Sequence, residues 1–474
     1  MVYFHSISHF MDETRRNLGP VRGLRIKRGS ARHRLKRWWR LTRLVKWALG
    51  EYFPETERNR LWKSVSVFLI KVGKCWTFGG TRQAIDYVKR VRASFLFSLS
   101  TTDRSASYQA RRRVRRAFAS RVKVDRLDEE SDVTIRFLLT VQTLMRGVKL
   151  PPILDVKPIT DPMTGVVTGK WKRYVEGFWK ELDALTSETS APVHWERFHL
   201  STKKGPSAQH AVVSWLTDFI SIPNSLKGDI AVVGGGKLTQ KMRDLLIHLE
   251  DFKKVFKPKV SGVFRRIEAI SDSEGKSRVV AILDYWSQTA LKPLHQFLFK
   301  ILEKIPQDVT FDQGSFVEKT KGWDQREDWY SVDLSKATDR FPIKLISQVL
   351  KGALTDRYVD AWERIMVSYP FHNRLGPDVT YAVGNPMGAY SSWGSFALSH
   401  HFVMYRVARE LGRPWSTLPY VVLGDDVLIG DHRVGKKYLS LIQELGLEVS
   451  PDKTYVSKSM CEFAKRYLRD GREI

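Results

Sequence analysis

Tyr420-Val421-Val422-Leu423-Gly424-Asp425-Asp426-Val427-Leu428-Ile429-Gly430 is the stretch on which the fold turns. Two apolar, β-branched arms flank Gly-Asp-Asp, the pattern of a β-hairpin with a tight turn at its tip. The arms read as buried. The tip carries two adjacent carboxylates, which repel each other unless a counter-charge lies between them. A divalent cation supplies that charge, and oxygen donors favour Mg²⁺ or Mn²⁺. A solvated hairpin turn is the plainer alternative, because Gly-Asp is ordinary turn chemistry.

The stretch upstream that bears on this choice is Tyr330-Ser331-Val332-Asp333-Leu334-Ser335, which reads as a strand ending in a carboxylate. Asp333 could meet the hairpin tip if the two strands are neighbours. Asp339 follows on the turn into an amphipathic helix that starts near Pro342. One strand-end Asp and a hairpin Asp pair suit two ions about 3.5–4 Å apart, the arrangement of phosphoryl transfer. Between the two stretches lies Gly384-Asn385-Pro386-Met387-Gly388-Ala389-Tyr390-Ser391-Ser392-Trp393, a Gly/Pro-rich loop that runs into a long helix through His400 and His401. Its glycines permit close backbone approach. Its Asn and hydroxyls can bond sugar or phosphate at a helix start, or simply form a helix entry.

In this order, the three stretches resemble palm motifs A, B and C of viral RNA-dependent RNA polymerases. The wording is most similar to mitoviruses and their narnavirus and ourmiavirus relatives, and the resemblance runs from about Phe198 to the C-terminus. It implies an α+β right-hand polymerase with an antiparallel palm sheet, a fingers lobe and a helical N-terminal region. It also implies that Asp333, Asp425 and Asp426 hold two Mg²⁺ (or Mn²⁺) ions. Asp339 and Asn385 would then read the ribose, with Gly384, Gly388 and Ser391 lining the substrate side. Mitoviruses commonly carry Gln where Asn385 stands. Asp339, in place of an aromatic steric gate, favours ribonucleotides over a reverse transcriptase's substrates.

Arg265 to Ile270 and Lys276 to Ala281 read as two strands joined by a turn at Asp272–Gly275. The hairpin resembles motif F, which implies that Lys276 and Arg278 bind the triphosphate, with Arg265 or Arg266 in support. Arg suits bidentate phosphate contact, and Lys acts as a point charge. An exposed basic hairpin is the alternative. The helix led by Asp284-Tyr285-Trp286-Ser287-Gln288 reads as packing. Leu447 to Thr454 resembles motif D, with Lys453 as a candidate general acid toward departing pyrophosphate. Cys461 to Arg466 resembles motif E. Gly234-Gly235-Gly236-Lys237 lacks the spacing and closing hydroxyl of a phosphate loop.

Lys and Arg number 79 against 51 Asp and Glu, a formal charge of +28, while 42% hydrophobic residues indicate a folded chain. A folded basic protein points to a polyanionic partner, nucleic acid first and an anionic membrane surface, met peripherally, second; the resemblance implies RNA template and product, NTPs, and viral genomic RNA in a ribonucleoprotein. Only Cys75 and Cys461 occur, so no disulfide framework is expected. No apolar run reaches the roughly 18 residues of a membrane span.

The lobes expected are 1–195 (basic, mainly helical), 196–329 (fingers, with motif F at 264–284), 330–460 (palm) and 461–474. That last piece begins a thumb that is short or missing, which a second chain or the N-terminal region could supply. Residues 1–50 are rich in Arg and Lys, with Trp38, Trp39 and Trp47 interleaved. RNA binding, membrane contact, a mitochondrial presequence and a plain surface helix all fit that pattern. The resemblance implies template-directed RNA synthesis in the host mitochondrion, or in the cytoplasm if the ourmiavirus likeness governs. A non-catalytic or truncated RNA-binding copy is the alternative.

Overall fold

The computed structural model describes residues 42–474 except 44, 48, 52, 101–103, 119–128, 187–192, 208, 325 and 451–453. Two compact units emerge, Met1–Lys89 with Arg115–Val122, and Arg90–Val114 with Lys123–Ile474. Residues Arg90–Val114 and those from Lys123 onward belong to the larger unit.

In the smaller unit, Leu61, Val65, Phe68, Leu69 and Val72 are all buried on the helix Glu55–Ser100, as their three- and four-residue spacing predicts. Phe68 stacks on Phe118 with ring centroids 4.7 Å apart. Gly80, at φ 83°, interrupts that helix with a kink.

The larger unit is built on three antiparallel sheets. The first is the hairpin β1 (Arg266–Ser271) and β2 (Ser277–Ile282). The second contains β3 (Trp329–Asp333), β4 (Tyr420–Leu423), β5 (Asp426–Ile429) and β6 (Tyr455–Ser457), in the order β4-β5-β3-β6. The third is β7 (Met460–Phe463), β8 (Arg466–Arg469) and β9 (Arg472–Glu473).

The arms of the Gly-Asp-Asp hairpin are apolar at nearly every position because both faces of the central sheet are covered. Tyr330, Val332, Tyr420, Val422, Val427 and Ile429 join the main core. The alternate residues Trp329, Val421 and Leu428 pack with Phe316, Cys461, Phe463 and Leu468 in a second core. The outer edge of β4 is closed by the segment Gln307–Val309, through Val422 N to Gln307 O (3.0 Å) and Val309 N to Val422 O (3.1 Å). The helices Tyr285–Lys304 and Ser392–Glu410 supply much of the main core.

The triple-glycine stretch lies within the helix Asn224–Ile247, interrupted at Gly235, and forms no phosphate loop. Among the described residues, no helix is long and apolar enough to cross a membrane.

Candidate active site

Strand register brings the acidic residues to one end of the central sheet. β3 and β5 pair antiparallel with Asp333 opposite Asp426, so the last residue of β3 faces the first residue after the turn. Asp425 stands exposed at the turn itself, and Asp333 and Asp426 are half-buried beside it. Gly424 adopts φ 61°, a left-handed conformation that glycine reaches without strain. A Cβ there would lie 3.0 Å from the Trp393 indole nitrogen, so the turn also needs glycine for space.

The end of β3 is further held by the segment that follows Leu447. Ser450 N donates to Asp333 O (2.8 Å), Ser335 N to Glu448 O (2.8 Å), and Asp333 N to the Thr454 hydroxyl (3.4 Å). Lys453, the candidate general acid, lies outside the described residues. Among the described residues, no three His, Cys, Asp or Glu side chains are grouped so as to hold an ion. The donor chemistry still fits a hard divalent cation, since the register sets two carboxylate residues, Asp333 and Asp426, opposite each other at one sheet end.

The turn after β3 and the loop before Trp393 are joined backbone to backbone. Gly384 N donates to Asp339 O (3.1 Å) and Asn385 N to Thr338 O (3.0 Å). A Cβ on Gly384 would fall 2.3 Å from the Thr338 oxygen, so only glycine allows this approach. Asp339 and Asn385 thus sit side by side. Each keeps a buried polar atom without a protein partner among the described residues: Asp339 Oδ1, an acceptor, and Asn385 Nδ2, a donor. Burial raises the Asp339 carboxyl to about 6, with Lys336 and Arg340 opposing the shift. Asn385 has no exposed surface and accepts a hydrogen bond from the Ser392 hydroxyl, so Asp339 is the member of the pair nearer solvent. Ser391 is equally buried, and its hydroxyl accepts from Trp362 Nε1 (2.9 Å). That places Ser391 inside the loop's support and not on a substrate surface, a correction to the sequence reading.

The same loop is docked on the β1–β2 hairpin. Ala281 N donates to Met387 O (2.7 Å), and a Cβ on Gly388 (φ 112°) would meet Ala281 O at 2.6 Å. Gln288 clamps it from the other side: its amide donates to Gly388 O (2.9 Å) and accepts from Tyr390 N (2.8 Å). Gln288 had been read as part of a packing helix. Its polar side chain, four residues past the Asp284 cap, was the available signal.

On the hairpin, Lys276, just before β2, and Arg278, within it, are both exposed. Arg278 Nε pairs with Asp272 Oδ2 at 2.6 Å. Arg265 does not join them. Its guanidinium is fully enclosed, donating to Ile365 O (2.6 Å) and the Ser287 hydroxyl (3.1 Å), with Asp284 at 3.7 Å. Burial pulls its pKa down to about 10, against the raising effect of Asp284. A cation sealed this way supports the fingers from inside and cannot reach a triphosphate, so the expectation for Arg265 is corrected.

Two histidines that sequence reading passed over as helix residues lie beneath the acidic turn. His400 Nδ1 contacts Gly424 O (2.7 Å) and its Nε2 contacts the Tyr438 hydroxyl (2.7 Å). His401 Nδ1 meets the Tyr420 hydroxyl (2.9 Å), and its Nε2 meets Asp308 Oδ2 (3.0 Å). Burial lowers the His400 pKa to about 4, so the ring is neutral at physiological pH.

The family description "Mitovirus RNA-dependent RNA polymerase" matches residues 191–474. The RNA-directed RNA polymerase of Cryphonectria parasitica mitovirus 1 is 37% identical over 206 residues, which are 43% of this chain and 25% of that protein. An uncharacterized mitochondrial protein of Arabidopsis thaliana is 35% identical over 178 residues, covering 35% of this chain and 69% of its own. Among solved structures, a chain of an RdRp complex superposes with TM-score 0.52 at 10% identity, over 86% of this chain and 42% of that one. At that identity the likeness concerns the fold. The chain spans a quarter of the viral relative's length and under half of the solved chain's.

Proposed function

The chain belongs to the mitovirus RNA-dependent RNA polymerase family, and from that premise we propose that it transfers nucleoside monophosphates from NTPs onto an RNA 3′-OH, directed by an RNA template. The observation that carries this reading is the antiparallel register that sets Asp333 opposite Asp426, with Asp425 at the intervening turn. These three carboxylates would hold two divalent cations, Mg²⁺ or Mn²⁺. When bound, such ions acidify the attacking hydroxyl and offset the charge that develops on the leaving pyrophosphate.

The rest of the work is positioning and charge. Lys276 and Arg278, at the entry to β2, bind the triphosphate, with Arg278 leaving Asp272 to do so. Arg266 flanks them. Asp339, the partly exposed member of the pair, accepts a hydrogen bond from the ribose 2′-OH, while Asn385, with no exposed surface, supports the loop beside it and does not meet the sugar. Gly384 and Gly388 let the loop close against the neighbouring backbones, and Gln288 holds it there. Lys453 serves as general acid toward the leaving group. The Arabidopsis relative's mitochondrial setting supports the host mitochondrion as the site of action.

Primer extension on an RNA template with Mg²⁺ and four NTPs tests the reading. Asp333→Ala and Asp425→Ala should each abolish incorporation while RNA binding persists. Full activity in Asp425→Ala would overturn the assignment. Salt-sensitive RNA binding with no incorporation by the unaltered chain would instead mark an RNA-binding copy.

A further inference from the structure

The acidic turn does not hold its own shape. A carbonyl oxygen can only accept, so the 2.7 Å contact between His400 Nδ1 and Gly424 O fixes the proton on Nδ1. A neutral ring must then accept at Nε2, and the Tyr438 hydroxyl donates there at 2.7 Å. His400 has no exposed surface and Tyr438 has none either, so neither contact can be replaced by water. His401 repeats the device one residue on. It joins the Tyr420 hydroxyl at the start of β4 to Asp308 on the segment that closes the edge of that strand.

The Gly424 carbonyl belongs to the peptide that leads into Asp425. In a planar trans peptide, anchoring the carbonyl also sets the direction of the following N–H and Cα. From these contacts we infer that His400, backed by Tyr438, is a positioning residue that fixes the Gly424–Asp425 peptide and hence the direction in which the Asp425 carboxylate is presented to a divalent cation. The inference rests on the reading of Asp425 as a metal ligand. A histidine suits the task better than Lys or Arg would: it donates one hydrogen bond, accepts another, and adds no positive charge under a site that must attract cations. The Trp393 indole, seven residues before His400 on the same helix, also lies against Gly424.

The test uses the full chain and three variants. In His400→Asn, the side-chain amide lies where Nδ1 was and can still donate to Gly424 O. His400→Phe removes both contacts at similar volume, and Tyr438→Phe removes only the supporting hydroxyl. Mn²⁺ binding followed by electron paramagnetic resonance gives a readout independent of turnover, and Mg²⁺ titration of primer extension gives a second. His400→Phe should weaken Mn²⁺ binding and raise the Mg²⁺ concentration for half-maximal rate, each by about tenfold, while lowering kcat further. KM for NTP should stay near its original value. His400→Asn should restore most of the loss, and Tyr438→Phe should fall between. An unchanged Mn²⁺ affinity in His400→Phe, or an Asn variant as impaired as the Phe variant at equal thermal stability, overturns the inference. An unaltered chain that fails to extend primers, yet binds Mn²⁺ in a His400-dependent way, overturns the polymerase reading and leaves this one standing.

Discussion

Arg265 and Arg278 lie on one hairpin and differ in everything that decides their use. Arg265 is 1% exposed and donates from both terminal nitrogens to buried partners, whereas the Arg278 side chain is about half exposed. Removing one partner from a buried ion pair leaves the other charge uncompensated, at a cost of about 3–5 kcal/mol. Arg265→Ala should therefore lower the unfolding midpoint sharply, with activity falling only as the folded fraction falls. Arg278→Ala should leave the midpoint in place and raise KM for NTP about tenfold, the loss of one charge-assisted contact. Steady-state kinetics beside a thermal melt separates the two. Sequence alone could not rank these cations, because burial is a property of the assembled fold.

Asp218 offers a pH test at the same scale. Burial, with Asp284 nearby, raises its carboxyl to about 7, while the Tyr285 N–H and the Ser214 hydroxyl pull it back in part. The folded pKa lies above the unfolded value. The folded chain therefore keeps its proton where the unfolded chain has lost it, and stability declines as pH rises from about 4 through about 7. Between pH 5.5 and 8 the melting temperature should drop, and Asp218→Asn should reduce that drop. An equal decline in both proteins would place its source elsewhere.

At the scale of elements, the hairpins were legible because local chemistry specifies them. Gly424-Asp425 between apolar arms, and Asp272–Gly275 between basic arms, encode turns by residue type, and both appear where expected. The helices beginning after Asp284 and near Pro342 were legible from capping and periodicity. What joins elements was hidden. The Gln288 clamp spans 102 residues to Tyr390, and no spacing rule reaches that far. The same holds for His400, whose partners are chosen by packing among otherwise apolar neighbours.

The clamp has a measurable consequence. Each of its two hydrogen bonds contributes about 1 kcal/mol, so Gln288→Ala should barely change the melt. The loop from Gly384 to Ser392 should nevertheless lose its docking on β2. Incorporation is expected to fall several-fold with RNA affinity unchanged. A Gln288→Ala protein that is less stable yet fully active would make Gln288 a packing residue after all.

For the whole molecule, the telling contacts are those made by Arg92 and Asp132 inside the larger unit. Arg92 forks onto Glu274 at 2.6 and 2.9 Å, gripping the turn of the β1–β2 hairpin, where Glu274 is held at φ 54°. On the helix Glu129–Thr143, Asp132 pairs with Arg469 (3.2 Å) and Arg472 (3.4 Å) of the C-terminal sheet. Arg92 and Asp132, outside the family match, thus brace both the hairpin proposed to bind triphosphate and the sheet that follows the palm strands. Breaking the brace at the hairpin should loosen nucleotide binding without touching the carboxylates. Arg92→Gln is therefore expected to raise KM for NTP several-fold, leave the Mn²⁺ affinity of the acidic turn unchanged, and speed proteolysis within 272–276. An Arg92→Gln protein with unaltered KM would show that the hairpin holds its pose through Ser271 and Ser277, whose hydroxyls bond Leu150 O (2.7 Å) and Ile153 N (2.9 Å), without help from the ion pair.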